Sequence, residues 1–301
     1  MTRRLVVTAD DAGMDGARDA AILRAFDRGI LRAASCVANG PTLDAFLAEA
    51  ASRPGLSLGL HLNLTEGAPL ADGRAFTLTE KRGRFLGDKR ELWRRAVAGE
   101  VDALEVERET TAQWRRLRAA GVEPDHVNGH HHVHVLPHVS EGVVRALVAL
   151  GRPAFVRVPR EQAPPAGFPP VEEPALPLGT ALLTGPRVSL LRAGHGGLVA
   201  LSVHAERLRA ALGGSLRATD GFFGVAWSTA PSRELLLHGL ASRPAGVVEA
   251  MVHPGRFASR TAGFSSDPRR DQELEVLVDP ATRAAVEATG TILCGYAELR
   301  T

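Results

Sequence analysis

Two neighbouring carboxylates and a dense run of imidazoles are the residues of this chain best suited to chemistry. Asp10 and Asp11 follow the apolar run Arg4–Ala9, where adjacent side chains project in different directions. One carboxylate can therefore bind a cation while its neighbour stays free as a base; the plain alternative is a loop with an aspartate capping the next helix. His61 sits in GLHLNLTEG, and on a strand it shares a polar face with Ser57, Gly59 and Asn63, opposite Leu56, Leu58, Leu60, Leu62 and Leu64. The segment DHVNGHHHVHVLPH holds six of the 11 histidines: His126, His130, His131, His132, His134 and His138. As extended chain, His130, His132 and His134 share one face and His131 takes the other. Neutral imidazole is the commonest metal ligand near neutral pH, and clustering desolvated histidines without a metal is costly. A His-rich surface loop that binds metals adventitiously is the alternative. His253 ends VVEAMVHPGR, just ahead of a Pro-Gly turn. Asp11, His61 and one clustered histidine make a two-His, one-carboxylate set with positions left for water and substrate.

The elements needed to position these residues alternate regularly. Strands are expected at Arg4–Ala9, Ala33–Ala38, Leu56–Leu64, Asp125–His130, Ala154–Val158, Phe222–Trp227, Val247–Val252 and Thr291–Cys294. Helices are expected at Asp15–Arg28, Thr42–Ala51, Arg90–Ala120, Val139–Leu150, Leu198–Leu212, Ser232–Leu240 and Asp271–Thr289, the last broken at Pro280. Residues 65–88 read as a long loop, and 159–177, with seven prolines in nineteen residues, as an irregular excursion on the substrate side or a surface linker. Seven or eight strand–helix units, with no Gly-x-Gly-x-x-Gly or phosphate loop, fit a (β/α) barrel better than a doubly wound sheet. The chemical residues all fall at strand ends, which open onto one face of such a fold. Residues 1–301 read as one domain.

Composition narrows the classes. The 301 residues are 45% hydrophobic and 23% charged, ample for a buried core. A net charge of +2, from 36 basic and 34 acidic residues, gives no broad footprint for nucleic acid. Cys36 and Cys294 are too few for a disulfide framework and lack metal spacing. No stretch reaches the roughly 20 apolar residues of a membrane span, nor a signal-peptide core, so the expected location is the cytoplasm.

TADDAG, SCVANGP at 35–41, GLHLNLTEGAPL at 59–70, the HHHVH cluster, EAMVHPGR and the closing DQELEVL…TGTILCGYAEL resemble, in order and spacing, the YdjC/ChbG family of carbohydrate deacetylases. The resemblance runs over essentially the whole chain. It implies a distorted (β/α) barrel of the glycoside hydrolase/deacetylase type and one divalent metal, usually Mg²⁺, on Asp11, His61 and His130. It also implies Asp10 as general base, His253 as general acid and a homodimer. Asn39, Glu66, His132 and His134 are expected to bind substrate or to support the ligands. Ala12 stands where the family usually has Phe, and Asn128-Gly129 where Asp-Ser is common. DHVNGH and FFGVAWS look like the branch associated with hopanoid biosynthesis.

The reading is a metal-dependent hydrolase that removes an N-acetyl group from an N-acetylated sugar, oligosaccharide or glycolipid headgroup. Imidazole ligands suit Zn²⁺, Co²⁺ or Fe²⁺ better than Mg²⁺ on softness grounds. Another barrel metallohydrolase, a phosphoesterase or amidohydrolase, is the alternative enzyme. Its two-metal sites need more ligands, and with lysine only at 81 and 89 a bridging modified Lys is hard to find. A non-enzymatic His-rich metal-binding protein would leave Asp10 and His253 without a role.

Overall fold

The computed structural model describes residues 3–73, 75–151, 155–161, 196–213, 216–243, 245–256 and 267–299. The Pro-rich excursion expected at 159–177 lies outside the described residues beyond position 161.

Strand β1 (Arg4–Ala12), buried from its second residue to its last, is the axis of a parallel sheet. On one side it pairs along its length with β7 (Val247–Val252), from Arg4 against Val247 to Ala9 against Val252. Its other side is shared. β8 (Ile292–Leu293) pairs with Arg4 and Leu5, and β2 (Ala33–Cys36) with Thr8 to Ala12. β3 (Ser57–Leu62), β4 (His126–Gly129) and β5 (Phe155–Val156) continue outward from β2, and β6 (Gly221–Phe223) lies beyond β7. The edges approach each other, since the Val156 amide donates to the Arg217 carbonyl at 2.7 Å. The result is a distorted parallel α/β barrel, as expected.

Helices follow the strands with conventional signals. Asp15 caps α1 (Gly16–Arg28), accepting from the Arg18 amide at 2.9 Å, and Gly29 ends it. The expected helix 90–120 is two: α3 (Lys89–Ala98) stops where Gly99 turns left-handed (φ +75°), and Asp102 caps α4 (Ala103–Ala119). The second expected break is at its predicted place, Asp279-Pro280 dividing α8 (Arg269–Val278) from α9 (Pro280–Ala288). Phe222–Trp227 is strand only to Phe223. Gly224 (φ +142°) then packs so close to Met251 that a Cβ would meet its carbonyl oxygen at 2.4 Å.

The loop 65–88 takes its order from buried carboxylates of α4. Glu109 accepts the Leu70 and Ala71 amides at 2.8–3.0 Å, and Glu105 accepts those of Phe76 and Thr77 at 2.9 Å. These bonds replace the ladder a strand would have supplied.

Inside the barrel, the polar face of β3 looks inward rather than to solvent. His126 fills the space beside Gly59, stacks on Tyr296 at 4.3 Å between centroids and pairs with Asp125 at 2.6 Å. A Cβ on Gly59 would sit 2.4–2.5 Å from that ring. Gly59→Ala should therefore cost about 1–3 kcal/mol through overpacking, read as a lower denaturation midpoint. An unchanged midpoint would show that the ring can move aside.

Candidate metal centre

The first strand delivers both aspartates through an irregularity. Its register with β2 shifts between Ala9 and Ala12, and Asp11 is left-handed at φ +66°, a conformation few non-glycine residues adopt. Asp10 and Asp11 thus lie within the strand's end rather than beyond it, and their carboxylates reach separate partners.

Asp11 Oδ1 lies 3.1 Å from His61 Nε2 and 2.7 Å from His130 Nδ1, all three residues being buried. These donor atoms lie within 4.8 Å of one another. The hydrogen-bond network assigns the tautomers. His61 Nδ1 is 2.6 Å from Asn128 Oδ1, an acceptor, so Nδ1 carries the hydrogen and Nε2 offers its lone pair inward. His130 Nε2 faces Glu66 Oε1 at 3.4 Å, which likewise frees Nδ1 towards Asp11. Two lone pairs and a carboxylate oxygen then converge, and Asp11 Oδ1 has no aligned hydrogen bond. Such a cluster needs a positive charge between its members. Burial alone would push His130 down, yet Asp11 and then Glu66 raise it to about 9, so without an ion this imidazole keeps a proton on Nδ1 that a metal would displace to take the lone pair. The donor set fits a divalent metal.

Asp10 is tied elsewhere. Arg157 grips it with two nitrogens, at 2.5 Å to Oδ2 and 2.8 Å to Oδ1, while Ser35 and Asn128 donate to Oδ1 at 3.2 and 3.0 Å. Burial alone would raise this carboxyl, but Arg157 outweighs it and holds the group well below the usual range. Arg157 also donates to Glu249 at 2.8 Å, and its carbonyl accepts from His134 Nε2 at 2.9 Å.

His253 Nε2 is 3.9 Å from Asp10 Oδ2, and its Nδ1 is 3.2 Å from Ser228 Oγ. Burial, then Arg270, pushes its pKa down to about 3, so the imidazole is neutral at rest. The near-neutral acid that would suit proton donation is not preformed.

The histidine cluster departs from expectation in its backbone. Residues His130–Val135 form a tight 3-10-like turn in which His131 and His132 are left-handed, at φ +54° and +55°. Strand alternation therefore fails, and His131 does not point away. Its ring lies 3.9 Å from that of His130, its Nδ1 is 3.4 Å from Thr65 Oγ1, and it joins Glu66 and His130 in a second group of converging donors. That group shares His130 with the first, so it is not an independent centre. His132 packs edge-on to Phe222 at 6.1 Å. Asn39 stays off the centre, donating to the Glu66 and Ala68 carbonyls at 3.0 Å and accepting from Asn63. It shapes the turn that presents Glu66.

Arg157, Ser35, Glu249 and Ser228 were not singled out from the sequence, and Asn128 was noted only as a departure from a pattern. An arginine between valines on the strand expected at Ala154–Val158 was the available signal for Arg157.

Comparison with known proteins follows from this geometry. The family model described as YdjC-like protein matches residues 4–288. A carbohydrate deacetylase of Mus musculus is 35% identical over 98% of this chain and 94% of its own length. The chitooligosaccharide deacetylase of Serratia marcescens is 35% identical over 54% of this chain and 62% of its own. The crystal structure of a candidate cellobiose-phosphate cleavage protein from Enterococcus faecalis V583 aligns over 100% of both chains with a TM-score of 0.72 at 20% identity, which shows a shared fold.

Two outcomes follow. Metal content should fall to background in His61→Ala and His130→Ala, and by about 10–100-fold in affinity in Asn128→Leu, which unfastens His61; full occupancy in both alanine variants would remove the centre. Stability should also depend on acid. Burial pushes His134 and His253 down to about 3, whereas an unfolded histidine titrates near 6.5. Below about pH 6.5 the unfolded chain gains protons the folded chain refuses, so these groups cost up to ~1.4 kcal/mol each per pH unit as pH falls. Glu273, pushed up to about 7 by burial, offsets part of this loss; denaturation midpoints of the metal-free chain should still drop between pH 6.5 and 5, and a flat profile over that interval would contradict this.

Proposed function

The chain belongs to the YdjC-like family, and from that premise we propose that residues 1–301 act as one unit, a metal-dependent hydrolase that removes the acetyl group from an N-acetylated sugar, oligosaccharide or glycolipid headgroup. The observation that carries this reading is the split between the two aspartates. One lies against two histidine nitrogens with which it could share a cation, and its neighbour is held ionised beside a neutral histidine. Hydrolysis of an amide needs both halves.

Asp11, His61 and His130 would hold one divalent ion, which polarises the acetamide carbonyl and acidifies the attacking water. Zn²⁺ or another transition metal matches the imidazole donors, and Mg²⁺ carries over from the family resemblance. Asp10 Oδ2 accepts the proton of the attacking water as the carbon–oxygen bond forms. Arg157 keeps that carboxylate ionised and aimed, so its basicity is modest but its position is fixed. His253 Nε2, neutral at rest, takes this proton from Asp10 across 3.9 Å and gives it to the amine nitrogen as the carbon–nitrogen bond breaks. One proton leaves the water and one reaches the amine. His134 anchors the Arg157 carbonyl, while His132 lines the same wall against Phe222.

Among the described residues no helix is long and apolar enough to cross a membrane. We propose in addition a cytoplasmic location and, by the family resemblance, a homodimer.

The test is acetate release from a panel of N-acetylated sugars and glycolipids with defined metals added. Asp10→Asn should retain metal and lose about 10²–10⁴-fold in turnover, because an amide accepts no proton. A near-native rate, or loss of metal, would mean the two aspartates have been interchanged. His253→Ala should bind metal normally and lose turnover most on unactivated amides. Equal losses on an activated anilide would reduce His253 to a residue that shapes the pocket.

A further inference from the structure

Helix α1 brings one more charged side chain to the metal centre. Arg18 is only 5% exposed; its Nη1 lies 3.1 Å from Asp11 Oδ2 and its Nε 3.3 Å from Asp15 Oδ2. Asp11 therefore shows its two oxygens to different partners, Oδ1 to His61 and His130, and Oδ2 to a guanidinium. The backbone around it is fixed from the same helix. Asp19 accepts the Gly13 amide at 2.7 Å and the Thr42 hydroxyl at 2.5 Å. Gly40 packs so near Gly13 that a Cβ there would meet its carbonyl oxygen at 2.3 Å. With the left-handed Asp11 clamped this way, the carboxylate has little freedom to turn both oxygens inward.

We propose that Arg18 is a positioning residue that confines Asp11 to one-oxygen coordination and so sets which cation the centre prefers, a proposal that rests on the metal-centre reading above. Ca²⁺ takes six to eight oxygen ligands, often through bidentate carboxylates, and Mg²⁺ also prefers oxygen. With Oδ2 committed to Arg18, these three residues offer one oxygen and two imidazole nitrogens, a set that favours Zn²⁺ or Co²⁺. The guanidinium charge also offsets that of Asp11, and hard cations depend most on that attraction. A side chain that acts on the denticity of Asp11 changes the ratio of affinities, whereas one that acts only on folding lowers them together.

Zn²⁺ and Ca²⁺ affinities of the full chain, measured by titration calorimetry, separate these cases. Arg18→Gln should raise the affinity for Ca²⁺ relative to Zn²⁺ by about 10–100-fold, and Arg18→Lys, which keeps the charge, should stay near the native ratio. Equal weakening of both ions in Arg18→Gln would overturn the proposal. A measurement on the native chain decides the matter even where Arg18→Gln does not fold. The infrared difference on adding Zn²⁺ should show widely separated asymmetric and symmetric carboxylate stretches, the mark of one-oxygen binding. A narrow separation overturns the role of Arg18 and leaves the metal centre standing. A native chain that binds neither ion overturns both.

Discussion

Two adjacent carboxylates buried at the end of one strand cannot both stay ionised unless each has its own positive partner. This constraint organises the centre of the protein. Asp10 receives Arg157, which directly follows the strand β5 at one edge of the sheet, and Asp11 receives Arg18 from the first helix and two imidazoles from β3 and the turn after β4. The carboxylates thereby acquire opposite characters. Asp10 is saturated by fixed donors, whereas Asp11 keeps one oxygen turned towards nitrogens whose lone pairs need a cation. Breaking such a buried pair from one side leaves a charge without compensation, which costs far more than the intact pair contributes.

The requirement extends into the barrel. Arg157 needs Glu249 as well as Asp10, and Tyr296 lies against Glu249 and the ring of His126. His126 in turn leans on Asp125 and Ser35, and Ser35 reaches back to Asp10. Asn128 joins the two halves: its carbonyl oxygen orients His61 while its amide nitrogen donates to Asp10 and Ser35. An aspartate at that position could not donate to Asp10 while ionised. The interior of this barrel is therefore a polar network within an apolar shell of strands and helices. Its members fix one another more tightly than hydrophobic packing alone would.

Much of this was legible in the chain. Alternation of apolar runs and helical periods placed the strands, because buried parallel strands and amphipathic helices each impose a period on the residues. The strand-end positions of Asp10, Asp11, His61 and His253 followed from the same register, and the residues expected to hold the metal do converge. The expectation failed where local chemistry had to yield to a long-range demand. His131 and His132, beyond the expected strand, were placed on opposite faces as extended chain, but the chain turns left-handed there and brings the His131 ring against that of His130. The helix expected at 90–120 broke at Gly99, whose freedom at positive φ outweighed the helical composition around it.

Sequence by itself determined the element types, the parallel α/β architecture and the side chains that converge around Asp11, since each depends on residues close together or on one repeating period. The family resemblance implied separate roles for the two aspartates; only the tertiary structure shows the different surroundings that would support them. The difference depends on Arg18 and Arg157, which lie seven residues after Asp11 and 147 after Asp10. It depends equally on a left-handed backbone at Asp11, which aspartate adopts more readily than most residues but which no periodic pattern in the chain marks. Charge partners that meet across a closed sheet leave no periodic trace in the chain. Their pairing is set by the barrel's curvature and by the cost of burying either charge alone.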